Sequence, residues 1–265
     1  MSLIIDLKEK VVLITGVTSG IGAGVAKQFA KAGAMVVGCG RHAAGSKEAQ
    51  SFIQSVQSLG SDALYVETDV TDAAQLLYLV NQSVKHFGKI DVLISNAGAN
   101  VFIGAANCSE EDWLKNHELN LASHWRLAKL CKPFLEKQHG VIIIMTSNHA
   151  FATIPGCFPY NITKTALTGL VKSLAIEWAP AIRTVGLAPG FIDTPGNQIW
   201  FNSFNDAEAE KQRTIDLHPV KKIGTVEEVG AWCVFLASDY AAFASGTTYL
   251  TDGGRSALMQ DTVIG

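Results

Sequence analysis

Short apolar runs recur along the chain at Val11–Thr15, Met35–Cys39, Ala63–Glu67, Asp91–Ser95, Val141–Thr146, Thr184–Ala188 and Thr247–Leu250. They are rich in β-branched residues and apolar throughout, instead of alternating with polar ones. Strands of that kind must be covered on both faces, the condition met in a parallel sheet flanked by helices. The segments between them carry helical periodicity, so the pattern predicts an α/β chain of about seven βα units. Two helix starts are punctuated: Ser109 followed by Asp112 approximates a capping box, and Thr225 followed by Glu228 completes one. Long helices are expected at about Glu110–Glu136 and Phe158–Trp178. The stretch Gly190–Gly224 has little strand character and carries Phe191, Trp200, Phe201 and Phe204, as a lid or binding loop would.

At 265 residues, without a Pro/Gly/Ser linker or an internal repeat, the chain reads as one α/β domain over 1–265 with a substrate loop at about 190–224. The net charge of −3 leaves no basic field for nucleic acid or an anionic membrane surface. Cys39, Cys108, Cys131, Cys157 and Cys233 are widely spaced, odd in number and free of any C-x-x-C pair, which points to reduced core thiols. The seven histidines show no H-x-x-x-H or H-E-x-x-H pair, so no metal is expected. No basic and apolar leader opens the chain, and Val141–Met145, its most hydrophobic stretch, is far short of the roughly 20 residues of a membrane helix. A cytoplasmic protein without a membrane partner is expected.

The first strand runs directly into Thr15-Gly16-Val17-Thr18-Ser19-Gly20-Ile21-Gly22 and then into a helical run. Glycines there let backbone N–H groups approach a pyrophosphate, and the positive end of the helix dipole faces the anion. The spacing is G-x-x-x-G-x-G, and here the chain resembles the short-chain dehydrogenase/reductase family. The resemblance implies a single-domain, Rossmann-like, doubly wound parallel sheet. The second strand ends Gly38-Cys39-Gly40-Arg41-His42. Gly40 stands where an acid would bond a ribose 2′-hydroxyl, and Arg41 can fork onto a 2′-phosphate. With Arg41 and His42 on the cofactor side, NADP(H) is expected over NAD(H), although Ser19 offers no second basic residue in the turn. By resemblance, Asp69 and Val70 are the adenine contact and Asn96-Ala97-Gly98 the turn behind the fourth strand, with Ser95 where the family more often has Asn.

Tyr160 and Lys164 are spaced i, i+4, so on a helix both emerge on one face. A nearby ammonium favours a phenolate, so the tyrosine pKa should fall from about 10. Such a phenol can give a proton to a carbonyl oxygen or take one from an alcohol. Y-x-x-x-K alone could be a surface pair, but Ser147 ends a buried strand thirteen residues before Tyr160, where its hydroxyl can orient the same oxygen. Asn120 lies near the middle of the long helix, a poor place for Asn. The resemblance implies that Asn120 kinks this helix and relays protons, that Ser147 orients substrate, that Tyr160 is the acid/base, and that Lys164 tunes it and binds the nicotinamide ribose. It further implies that the turn Pro189-Gly190, backbone at Ile192 and the Thr194 hydroxyl hold the carboxamide, and that Ser245-Gly246 and Asp252-Gly253-Gly254 belong to the last strand.

The departures are Ile144 and Val185 for two usual Asn residues, and Ala179-Pro180-Ala181-Ile182, which looks one residue short. The expected activity is an NADP-dependent reductase or dehydrogenase of a small carbonyl or secondary alcohol. An NAD-linked alcohol or sugar dehydrogenase and a catalytically silent nucleotide sensor stay open. Asn148, His149, Phe151, Phe158, Phe191, Trp200, Phe201 and Phe204 are candidate walls of a mainly apolar pocket. The family pairs its two long helices across subunits, so a homotetramer is expected.

Overall fold

The computed structural model describes residues 4–258; the two ends of the expected 1–265 unit, residues 1–3 and 259–265, lie outside the described residues. Seven strands form one parallel sheet: β1 (Val11–Thr15), β2 (Met35–Gly40), β3 (Ala63–Glu67), β4 (Val92–Ser95), β5 (Val141–Met145), β6 (Arg183–Pro189) and β7 (Thr248–Thr251), in the order β3-β2-β1-β4-β5-β6-β7. Every expected strand is present, with ends moved by at most a residue or so. Asp91 stands just before β4, its backbone still bonded to Val11 and Val141, and its buried carboxylate accepts from the N–H of Val11 at 2.9 Å and from Lys10 Nζ at 3.2 Å.

The uniformly apolar strands are explained by two cores. Val12, Ile14, Ile143 and Met145 point to one side of the sheet, and Val11, Leu13, Ile142 and Ile144 to the other. Helices α1 (Gly20–Lys31), α2 (Lys47–Gln57) and α9 (Val226–Ala237) cover the first face through Phe29, Phe52 and Val229. Helices α3 (Ala73–Phe87), α5 (Ser123–Gln138) and α6 (Tyr160–Trp178) cover the second through Leu79, Leu135 and Val171. Ile144 and Val185, the two departures from the family pattern, are fully buried, one on each face, where an aliphatic side chain suits the site better than an unpaired amide. The short stretch 179–182 closes as a tight turn, Ile182 N–H donating to Trp178 carbonyl at 3.0 Å.

Both helix-start readings hold. Ser109 Oγ accepts from Asp112 N–H at 3.1 Å at the start of α4 (Glu110–His117), and Thr225 with Glu228 forms the full reciprocal box on α9. The long helix expected at Glu110–Glu136 is divided: a π-helical turn, Glu118–Ala122, separates α4 from α5. The 190–224 stretch is helical, carrying α7 (Pro195–Phe201) and α8 (Ala207–Asp216). Among the described residues, no helix is long and apolar enough to cross a membrane. Strand order reverses between β1 and β4, so the loops leaving them diverge and open a crevice at the carboxyl edge of the sheet.

Candidate active site

A cleft of about 1280 Å³ fills that crevice. Every residue expected to hold the dinucleotide or act in catalysis lines it, with the exception of Asn120. At the β1–α1 turn Gly16 and Gly20 have φ of +76° and +56°, a region other residues rarely adopt. A Cβ on Gly22 would sit 2.1 Å from the Gly16 carbonyl oxygen and 2.8 Å from Asn96 Nδ2, so only glycine lets α1 approach the strand this closely. Thr15 Oγ1 ties this turn to the next, accepting from the N–H groups of Asn96 and Ala97 at 2.9 and 2.8 Å, while Asn96 Nδ2 donates to Thr15 carbonyl. Ser19 makes no side-chain cap on α1, and no acid lies in the helix's first turn. The N–H groups and the dipole are therefore available to an external anion, and these residues fit a pyrophosphate.

Along the cleft, Arg41 and His42 are exposed at the end of β2, and Tyr65 Oη reaches over to the His42 carbonyl at 2.9 Å. Gly40 leaves that end open: a Cβ there would meet Thr18 and Tyr65 at 3.1 to 3.3 Å. Asp69 accepts from both the N–H and the hydroxyl of Thr71, which fixes the turn after β3. On the other wall Thr194 Oγ1 accepts from Asn197 N–H as the cap of α7, leaving its own O–H free to donate. The Ile192 carbonyl is tied by Asn197 Nδ2 at 2.7 Å.

The candidate catalytic side chains meet where α6 packs beside the end of β5. Tyr160, Lys164 and Ser147 are all buried, and Lys164 Nζ donates to the Met145 carbonyl at 3.0 Å. Burial pushes the Tyr160 phenol up to about 12, opposed by the Ser147 side chain, and pushes the Lys164 ammonium down to about 8. The expected fall in the tyrosine pKa is thus reversed in this fold. Desolvation of a buried phenol disfavours its anion, while Lys164 Nζ sits over the ring, 5.6 Å from its centroid, with one N–H spent on a carbonyl.

Asn120 is fully buried beneath the cleft, inside the π-helical turn, and is no exposed amide. Its Oδ1 accepts from Ala99 N–H at 3.0 Å, and its Nδ2 donates to the Ala99 carbonyl and to Asn116 Oδ1 at 2.8 Å. Asn116, 1% exposed, in turn reaches the Pro159 carbonyl on the far side. Sequence reading missed Asn116; the signal was a second amide four residues before the first. Gly98 faces both groups: a Cβ there would lie 2.7 Å from Asn120 Oδ1 and 3.5 Å from Lys164 Nζ.

Of the candidate wall residues, Asn148, His149, Phe191 and Trp200 line the cleft. The others do not. Phe158 stacks on Trp113, Phe201 is buried beneath Phe191 and Trp200, Phe204 packs edge-on to Trp200, and Phe151 is half-exposed. Phe102, Arg213 and Arg255 line it without having been singled out. His149 stands edge-on to Phe102 and near Tyr160, with Nδ1 at 3.2 Å from Thr153 Oγ1 and 3.5 Å from Cys157 Sγ.

This fold and cleft define a dinucleotide-binding oxidoreductase. A family model described as Enoyl-(Acyl carrier protein) reductase matches residues 16–256. The chain is 36% identical over 255 residues to the human Dehydrogenase/reductase SDR family member 4, covering 94% of this chain and 88% of that one. It is 32% identical over 254 residues to 3beta-hydroxysteroid dehydrogenase 1 of Eggerthella lenta, covering 95% of each. Among solved structures, the aldohexose dehydrogenase of Thermoplasma acidophilum superposes with a TM-score of 0.89 at 28% identity, covering 99% of this chain and all of that one. The chain belongs to the short-chain dehydrogenase/reductase family, whose members are oxidoreductases that use nicotinamide cofactors.

Proposed function

We propose that this protein interconverts a carbonyl compound and its secondary alcohol with NADP(H), using Tyr160 as the acid/base and the 190–224 stretch as the substrate loop. The observation that carries the reading is the meeting of Tyr160, Ser147 and the glycine turn in one cleft. Two buried hydroxyls facing one space suit a substrate oxygen, and the turn, α1 and Arg41 suit a phosphorylated dinucleotide. When bound, the cofactor supplies or accepts hydride at the substrate carbon.

In the reducing direction Tyr160 Oη–H gives its proton to the oxygen of that carbon, and Ser147 Oγ–H donates a hydrogen bond to the same oxygen. The phenol holds its proton at neutral pH, and the burial that pushes it up to about 12 makes release costly unless the developing phenolate is offset. As the proton leaves, the Lys164 ammonium beside the ring offsets the phenolate charge. Asn120 is the proposed relay of protons to Lys164, and the absence of a side chain at Gly98, whose Cβ would lie 2.7 Å from Asn120 Oδ1 and 3.5 Å from Lys164 Nζ, supports that reading.

The test is NADPH consumption with a panel of ketones, comparing the wild type with Tyr160→Phe, whose NADPH binding is followed separately by fluorescence. Loss of a general acid should lower the rate by about 10²–10⁴ while binding persists. Equal turnover by the two proteins would overturn the role of Tyr160, and nucleotide binding without turnover of any ketone would favour a silent sensor.

A further inference from the structure

Beyond His149 the cleft is bounded by two cations that the chemistry above does not use. Arg213 projects from α8, and Arg255 lies in the 3₁₀ turn Arg255–Ala257 that follows β7. Arg213 is paired, with Nε and a terminal nitrogen on the two oxygens of Glu210. Arg255 is half-buried and takes part in none of the ion pairs among the described residues. Asp252, whose charge favours that of Arg255, turns its oxygens to the N–H groups of Gly254 and Ser256, at 3.1 and 2.7 Å. Ser256 Oγ is buried and lacks a hydrogen-bond partner among the described residues, and it lines the same cleft.

Loss of water and the proximity of Arg213 both work against the charge on Arg255, outweighing the help from Asp252. A half-buried guanidinium is costly unless something answers its charge. In this place the answer can come from whatever enters the cleft, and a planar fork of N–H donors meets the two oxygens of a carboxylate in parallel bonds.

We propose that the substrate is an anionic carbonyl compound, an oxo acid whose carboxylate is held by Arg255, with Ser256 Oγ as a further donor and Arg213 adding to the field. This rests on the carbonyl reading above and narrows its substrate class. His149 is edge-on to Tyr160 and also feels the charge of Arg255, so the guanidinium borders the same cleft at a remove from the reacting oxygen. The carboxylate is therefore expected several bonds away from the carbon that is reduced.

The experiment compares matched pairs, 4-oxopentanoate with its methyl ester and 4-benzoylbutanoate with its methyl ester, by NADPH absorbance in the wild type, Arg255→Gln and Arg255→Lys. The wild type should favour the acids in kcat/KM. In Arg255→Gln the acid-to-ester ratio should fall about 10- to 100-fold, the weight of one charge-assisted hydrogen bond, chiefly through KM. Arg255→Lys should keep part of the preference. Equal kcat/KM for acid and ester in the wild type, or a ratio unchanged in Arg255→Gln, would overturn the proposal and leave the carbonyl reading intact.

Should none of these ketones turn over, calorimetry with phenylbutanoate against phenylbutanamide decides the anion site independently. Selective binding of the acid that is lost in Arg255→Gln supports it, and no selectivity refutes it. Inorganic phosphate, tested as a competitor, should displace the acid weakly; displacement at least as strong as by a carboxylate would reassign the site to phosphorylated compounds and refute the oxo-acid assignment.

Discussion

Acid should destabilise this protein through one buried residue, His124. The ring lies on α5, 1% exposed, with Nδ1 at 2.7 Å from Ser95 Oγ and Nε2 without a partner among the described residues. Burial, reinforced by the nearby Lys164 charge, pushes its pKa down from 6.5 to about 3. A group depressed in the fold contributes stability that is present above its unfolded value of 6.5 and is lost as pH falls toward 3. Over that window only the unfolded chain takes up the proton. At 1.4 kcal/mol per pH unit, the loss between pH 6.5 and 4.5 is about 2–3 kcal/mol.

The assay is urea unfolding from pH 7.5 to 4.5 at fixed protein concentration, for the wild type and for His124→Asn, whose amide can still meet the Ser95 hydroxyl. The substitution lowers stability at every pH by the cavity it leaves. The carboxylates held low by their partners, Glu118, Glu210 and Glu228, act alike in both proteins. The difference between the two curves therefore isolates the histidine: it should shrink by about 2–3 kcal/mol on going from pH 6.5 to 4.5. Parallel curves would show that His124 is not held neutral by the fold, and the reasoning would fail.

Three further outcomes are expected. Arg41→Ala should lower the ratio of kcat/KM for NADPH over NADH by about 10- to 100-fold, read from the two absorbance assays, and an unchanged ratio would remove Arg41 from phosphate binding. Gly22→Ala places a methyl 2.1 Å from the Gly16 carbonyl and should cost about 1–3 kcal/mol in thermal unfolding, together with nucleotide affinity measured by fluorescence titration. The helices α4, α5 and α6, with Leu114, Trp125 and Ile162 exposed along them, are expected to pair between subunits, so the protein should sediment as a tetramer at micromolar concentration. A monomer would refute that assembly.

The strands were legible because burial on two faces writes itself into every residue of a run: Val141–Met145 has no polar position to confuse the reading. The glycine turn and the Tyr160/Lys164 pair were legible for a related reason. Each is a local spacing whose geometry follows from the strand or helix that carries it. Other features depend on residues far apart in the chain. Asn120 was found as an odd residue in a helix, but the π-helical turn around it answers to Ala99 and to Asn116, which itself reaches Pro159. Ser95 was noted only as a departure, and its histidine partner comes from 29 residues away.

Tertiary structure also reversed one sign. Helical spacing predicts a phenol eased toward its anion, but the fold buries that phenol, and desolvation outweighs the opposing hydrogen bond from Ser147. Likewise, Phe201 and Trp200 read alike in sequence, yet one is sealed beneath the other. Periodicity and spacing fix which elements form and which side chains share a face. The dielectric around a charge, and the company a loop residue such as Arg255 keeps, are set by segments that meet only after folding, and no local pattern encodes them.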